Sequence, residues 1–234
     1  MERPVEDEAA LAAIDAHTAA VVVEPVQAEA GVRVPSPAFL PALRRRCDDT
    51  GALLVLDEVV TGFGRTGRLF AHQHWGVVPD LLVLAKALGG GLPLGAFVGS
   101  PAVMATLGHD PPLAHVTTFG GHPLSCAAGL AALEVLLRED LPARAAGLGA
   151  RLLERLRALV GRGGLVAARG LGLLLGLEFA EAAASARFAR RALERGLILN
   201  WTLHRDTVVR LAPPLVLSDA EAERAVEGIV AALV

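Results

Sequence analysis

Leu81-Leu82-Val83-Leu84-Ala85-Lys86, followed closely by Gly89-Gly90-Gly91, is the stretch from which the fold can be read. The run is short and apolar and it stops on a charge. A second run, Leu53-Leu54-Val55-Leu56, stops on Asp57-Glu58 in the same way. Short continuous apolar runs are what strands covered on both faces of a parallel sheet look like. Their charged ends are therefore expected together at one carboxyl edge, where open α/β sheets bind ligands. A lysine held there in apolar surroundings loses hydration, which favours the neutral, nucleophilic amine. That is the requirement for a Schiff-base lysine.

Working outward, residues 19–23 predict a buried strand ending at Glu24-Pro25. A helix is expected from Pro37 to Thr50, capped by Ser36 and stopped by Gly51. Strand, helix and strand in that order imply a parallel crossover. Residues 81–85 and 94–99 give two further strands, and Ser100-Pro101 opens a short helix. A long helix follows from Pro123 to Arg138, and another begins at Pro142 and ends near Gly161 to Gly164. Beyond it, strands at 165–168, 172–179, 197–201 and 208–212 surround a helix at 182–195. Ser218-Asp219-Ala220-Glu221 is a capping box that opens the last helix. The expected class is α/β: a partial, mostly parallel sheet with helices over residues 1–138, then a smaller α+β domain over 139–234.

Hydrophobic residues make up 53% of the 234, enough for a real core. Lysine plus arginine is 22 against 25 aspartate plus glutamate, a formal charge of -3 that gives no reason to expect nucleic acid. Cys47 and Cys126 have no metal spacing and no disulfide framework, which suits a reduced, cytoplasmic setting. The acidic start, Met1 to Glu8, does not resemble a signal peptide. No uncharged apolar stretch reaches the about 18 residues of a membrane span without glycine and proline breaks.

Asp57 and Lys86 together meet two needs of pyridoxal phosphate: an amine for its aldehyde and an anion beside its ring nitrogen. A buried ion pair between neighbouring strands is the other reading of the same spacing. Gly89 to Gly95 lacks the order of a phosphate loop and reads as a tight turn. Arg169-Gly170-Leu171-Gly172 resembles a dinucleotide fingerprint only loosely and lies in a predicted strand. His72 and His74 have no partner at ligand spacing, so no metal is expected.

Several stretches carry a resemblance to a known family. Glu24-Pro25-Val26-Gln27-Ala28-Glu29-Ala30-Gly31 is similar to EP-x-Q-G-E-x-G, and Asp57-Glu58-Val59-Val60-Thr61-Gly62-Phe63-Gly64-Arg65-Thr66-Gly67 to DEV-x-TG-x-GRTG. Pro79-Asp80 through Lys86 to Gly95 resembles PD-x(4)-K-x-LGGG-x-P-x-G, Thr117 to Pro123 resembles TTFGGNP, and Arg210 to Leu215 resembles R-x-x-PPL. In this order they resemble the class III, or ornithine/acetylornithine-type, pyridoxal-phosphate aminotransferases.

The resemblance implies a fold-type I transferase that moves an amino group, with an ω-amine expected, to a keto acid such as 2-oxoglutarate or pyruvate. An aminomutase or decarboxylase of the same fold is the alternative. By resemblance Lys86 would bind the cofactor aldehyde and act as general acid and base, and Asp57 would pair with the ring nitrogen. Val59 would pack on the ring, and Thr118 would bind the phosphate across a homodimer interface. Glu29 and Arg210 resemble a pair in which the arginine binds a substrate carboxylate and the glutamate masks it; a plain salt bridge is the competing reading. Val60, Ala28 and His122 depart from the family's glutamine, glycine and asparagine and leave the substrate open. The chain opens partway through the family's large domain, without the family's phosphate-cradling turn. A fragment, a split-gene product, an incompletely represented chain or a non-catalytic remnant that binds a partner chain is therefore expected, with doubtful activity alone.

Overall fold

The computed structural model of the protein describes residues 8–108 and 115–234. The acidic segment up to Asp7, read above for signal character, lies outside the described residues.

Four short runs build the first sheet: β1 (Ala20–Val23), β2 (Leu53–Asp57), β3 (Leu81–Leu84) and β4 (Ala96–Gly99), in that order across the sheet. The first three are parallel, and β4 runs antiparallel to β3, so the sheet is mixed but mostly parallel. The helices of this part are α1 (Glu8–Ala12), α2 (Phe39–Thr50), α3 (Pro101–Ala105) and α4 (Pro123–Arg138). α2 starts two residues later than predicted. Ser36 uses its hydroxyl on the Ala38 amide, 3.3 Å away, and so makes a turn before the helix rather than capping it. Gly51 does end the helix in the left-handed region, its amide donating to the Cys47 carbonyl at 2.9 Å.

Side chains alternate across a strand. Leu54 and Leu56 of β2 therefore share a face with Val21, Val23 and Leu82, and that face packs on Leu40, Leu43 and Cys47 of α2. Asp80 ties the layers: its Oδ2 accepts from the Leu54 amide at 2.7 Å and from Arg44 at 2.8 Å. The opposite face carries Val22, Val55, Asp57, Leu81, Val83 and Phe97. β1 was expected to be buried, yet Val22 is 68% exposed. β1 is an edge strand, and its second face has no covering layer among the described residues.

The second sheet is antiparallel, in the order β5 (Leu165–Leu171), β6 (Leu174–Phe179), β8 (Arg205–Leu211), β7 (Asn200–Thr202). Helices α5 (Leu141–Arg157), α6 (Ala182–Leu193) and α7 (Asp219–Ala232) complete it. Leu148, Leu156, Leu177, Phe188, Val209 and Ile229 belong to one buried cluster. Ser218 caps α7 as predicted, in a reciprocal box with Glu221. The Arg169 to Gly172 run forms the β5–β6 hairpin, with Gly172 at φ +55°, so it joins strand to strand rather than strand to helix.

The chain divides into two compact units. One gathers residues up to Pro25, Pro35–Phe63 and Phe70–Glu139; the other gathers Val26–Val34, Gly64–Leu69 and Asp140–Val234. No helix of the described residues is long and apolar enough to cross a membrane.

Candidate active site

Parallel pairing of β2 with β3 sets Asp57 against Val83, so both strands deliver their carboxyl ends to one edge. Asp57 closes β2 on the face away from α2. Its Oδ1 accepts from the Val59 amide at 2.9 Å, and Oδ2 has no hydrogen-bond partner among the described residues. Glu58 points the other way and is fully buried. Its carboxylate accepts from the amides of Ala71 (2.6 Å) and His72 (2.8 Å) and from the Thr61 hydroxyl (3.1 Å). Burial pushes its pKa above the usual carboxylate value, against the pull of those donors.

Lys86 lies three residues beyond Val83. It opens a single-turn helix, Lys86–Gly89, with φ +47°, a left-handed conformation that lysine rarely adopts. Such backbone persists only when its surroundings impose it. Here Gly90 and Gly129 let α4 press against the turn. A Cβ on Gly90 would lie 2.4 Å from the Ala128 carbonyl oxygen, and one on Gly129 would lie 2.4 Å from that of Leu88. The glycine run thus serves close packing. The apolar enclosure expected for Lys86 is not what the described residues provide: its side chain is exposed, because β3 ends at Leu84 and the chain turns outward. Lys86 is also the only lysine in the sequence.

Beside this edge an open cleft of about 1200 Å³ is lined by Val59, Val83, Ala85, Phe97, Thr117 and Phe119. Thr118 is exposed between two of those lining residues. His115 meets Phe97 edge to face, 5.1 Å between ring centres, and holds the start of that segment on the sheet.

Glu29 and Arg210 belong to the second unit, and the structure brings them into an ion pair. Residues 26–34 form a tight loop closed by paired Gln27 and Arg33 amides, each donating at 3.0 Å to the other residue's carbonyl. Val32 packs on Gly176 of β6, where a Cβ would meet the valine at 3.1 Å. Glu29 at the loop's tip accepts from Arg210 Nη1 through Oε1 and from the Leu203 amide, at 3.0 Å, through Oε2. The His204 amide donates to the Glu29 carbonyl at 3.0 Å. Arg169 Nε reaches the Gly31 carbonyl at 2.9 Å.

Three contributors escaped the sequence reading: Glu58, Arg65 and the Leu203 amide. Glu58 was visible as a second charge closing an apolar run, and Arg65 as part of a quoted motif. A backbone amide leaves no sequence signal. Cys126 is exposed on α4, while Cys47 is buried; both are free thiols. Among the described residues no group of three or more histidine, cysteine, aspartate or glutamate side chains could hold a metal.

A mostly parallel sheet with a lysine and an aspartate at its carboxyl edge, together with a smaller α+β unit, is the architecture of a fold-type I transferase. A sequence model of the family described as aminotransferase class-III matches residues 2–233. The chain belongs to the class III aminotransferases. It is 47% identical over 209 residues to a putrescine aminotransferase of Pectobacterium atrosepticum, covering 88% of this chain and 44% of that protein. An ornithine aminotransferase of Toxoplasma gondii, described with partial occupancy of PLP at its active site, superposes with TM-score 0.88 at 38% identity; the match covers 97% of this chain and 52% of that one. The ornithine δ-aminotransferase of Plasmodium falciparum gives TM-score 0.89 at 37% identity, covering 100% of this chain and 60% of that one. The chain thus spans about half the length of the relatives it matches.

Proposed function

We propose that the protein works as a pyridoxal-phosphate aminotransferase that moves an amino group, an ω-amine, to a keto acid such as 2-oxoglutarate or pyruvate. One observation carries the reading: β2 and β3 set a carboxylate with an unused oxygen and the sole lysine at the same strand edge. The residues present suit the cofactor. Asp57 Oδ2 is open to accept from a ring N–H, and Lys86 presents an exposed amine for the aldehyde. Val59 offers an apolar contact in the cleft, and Thr118 an exposed hydroxyl for the phosphate, in this reading across a homodimer interface. When bound, the cofactor supplies an electron sink for the substrate carbon. Asp57 would keep the ring nitrogen protonated, a task that needs a fixed anion. With the cofactor in place, Lys86 Nζ would hold and move the proton.

The ω-amine preference is supported by relatives named for putrescine and ornithine, substrates with a terminal amine. Glu29 paired with Arg210 masks the arginine when such an amine enters, and Arg210 takes a carboxylate when the acid enters. In this reading residues 1–138 form part of the cofactor domain and 139–234 the small domain.

The test is covalent. The protein is incubated with pyridoxal phosphate, reduced with borohydride and mapped by peptide mass. The adduct is expected on Lys86, lost in Lys86→Ala and reduced in Asp57→Asn. Since the sequence holds no other lysine, an adduct that persists in Lys86→Ala would overturn the assignment. A panel of diamines and ω-amino acids then fixes the donor. Arg210→Ala is expected to raise the half-saturation constant for the keto acid more than for a simple amine; equal effects would point to a structural salt bridge.

A further inference from the structure

Arg65 lies in a turn bracketed by Gly64 (φ +87°) and Gly67 (φ +95°). Its backbone and side chain are both fastened to one residue: the Leu173 amide donates to the Arg65 carbonyl at 2.9 Å, and Arg65 Nη1 donates to the Leu173 carbonyl at 3.1 Å. Nη1 also reaches the carbonyl of Pro213, three residues beyond Arg210, at 2.6 Å. Nε and Nη2 have no partner among the described residues, and neither is a sealed, unsatisfied atom. No carboxylate pairs with this guanidinium there. Its neighbour Arg210 adds a second positive charge; burial, and then that charge, lower the Arg65 pKa to about 10. Of these two neighbouring cations, Arg210 is the one paired with a carboxylate, Glu29, whose second oxygen is already committed to the Leu203 amide. A partly buried cation beside another cation is costly unless an anion joins it.

We propose that Arg65 is a specificity-determining residue: the second cation of a carboxylate subsite, offering its unused Nε and Nη2 to a carboxylate that bridges it to Arg210. The inference rests on the reading of Arg210 given above and adds what the ion pair alone cannot supply. With Glu29 still in place, Arg65 leaves one positive charge unmatched, so an acid is drawn in before the mask is displaced. A guanidinium fork suits this task better than an ammonium, because its two N–H groups match two carboxylate oxygens.

The probe is glutarate, titrated into the 234-residue chain by calorimetry at low salt. Arg65→Gln is expected to weaken binding about tenfold, the scale of one charge-assisted hydrogen bond at a part-buried site. Arg65→Lys keeps the charge and should stay within about threefold of the wild type. Glu29→Gln should tighten binding, and added salt should weaken it. Wild-type affinity in a folded Arg65→Gln chain overturns the inference. Should that variant not fold, Arg65→Lys decides: a loss as large as that of Arg210→Gln means that Arg65 is only a fastening for Leu173 and Pro213. If Arg210→Gln abolishes binding and Arg65→Gln keeps wild-type affinity, this inference alone fails. If neither the wild type nor Glu29→Gln binds glutarate, the Arg210 reading fails with it.

Discussion

In the mostly parallel sheet Val22 and Val98 stand 68% and 54% exposed, while in the antiparallel sheet Leu174, Leu177 and Val209 are fully buried. Charges follow the same division. On the open sheet Asp57 keeps an unused oxygen and Lys86 an exposed amine. On the sealed sheet Glu178 sits between Arg169 and Arg205, and Glu29 is paired with Arg210. A side chain whose hydrogen bonds are already made stabilises a fold; one with unused capacity is available to a ligand. By that standard the first unit holds the groups suited to chemistry. The second holds a framework in which Arg65 is the exception.

The comparison breaks most readily at Glu58, a fully satisfied carboxylate inside the open unit. Glu58→Ala leaves the Ala71 and His72 amides and the Thr61 hydroxyl without their acceptor, and should cost about 3 kcal/mol or more. Urea unfolding of the first unit measures it, and a loss under about 1 kcal/mol would show that the 70–72 turn has another anchor.

Next in size is the contrast between the sheets themselves. Leu177→Ala removes a fully buried side chain of the sealed core and should cost about 3 kcal/mol. Val22→Ala, on the open face, should change stability by no more than about 0.5 kcal/mol. Equal costs in thermal unfolding would mean that a further layer covers the Val22 face in solution.

Packing beside Lys86 gives a smaller effect. Gly90→Ala combines a left-handed φ of +59° with a Cβ 2.4 Å from a carbonyl oxygen, and should cost about 2 kcal/mol. Gly51→Ala, at φ +78° with nothing within 4 Å, carries only the backbone part, about 1 kcal/mol. If the two variants melt alike, the close approach of α4 does not hold the lysine turn.

The pH dependence sharpens the picture within the open unit. Glu58 is raised in the folded state, so its contribution is present below its ordinary 4.5 and is lost as pH rises through its folded value. Asp80 is the reverse. Burial raises it, but the Leu54 amide and Arg44 outweigh that and set it below 3.8. Its contribution is present above 3.8 and is lost as pH falls through the folded value. Urea midpoints across pH should therefore flatten on the upper side in Glu58→Gln and on the lower side in Asp80→Asn. An unchanged profile in either variant assigns the slope to other groups. The smallest expected effect is that of Arg155→Ala, whose exposed pair with Glu223 should be worth at most about 0.5 kcal/mol.

Local order was legible where neighbours in sequence are also the physical partners. The Pro123–Arg138 helix matches its prediction residue for residue, and the Ser218 box matches because its two bonds close within four residues. The strand end at Asp57 was legible because a charge cannot continue an apolar run into a core, whereas β3 stops at Leu84, two residues before Lys86. Misreadings have one source: burial is a property of what lies opposite. The 19–23 run is as apolar as a central strand, yet β1 lies at an edge.

By itself, then, the sequence determined the two apolar strands with charged ends, the caps, the glycine turns and the ordered motifs that place the chain in its family. Tertiary structure alone decided that Glu58 is bonded and Asp57 partly free, although they are adjacent, because alternation along a strand sends neighbours to opposite faces. It alone joined residues 26–34 and 64–69 to the C-terminal unit and brought Glu29, Arg65 and Arg210 together there. These associations rest on hydrogen bonds and charge acting through space between residues more than 100 positions apart, where the local pattern carries no information.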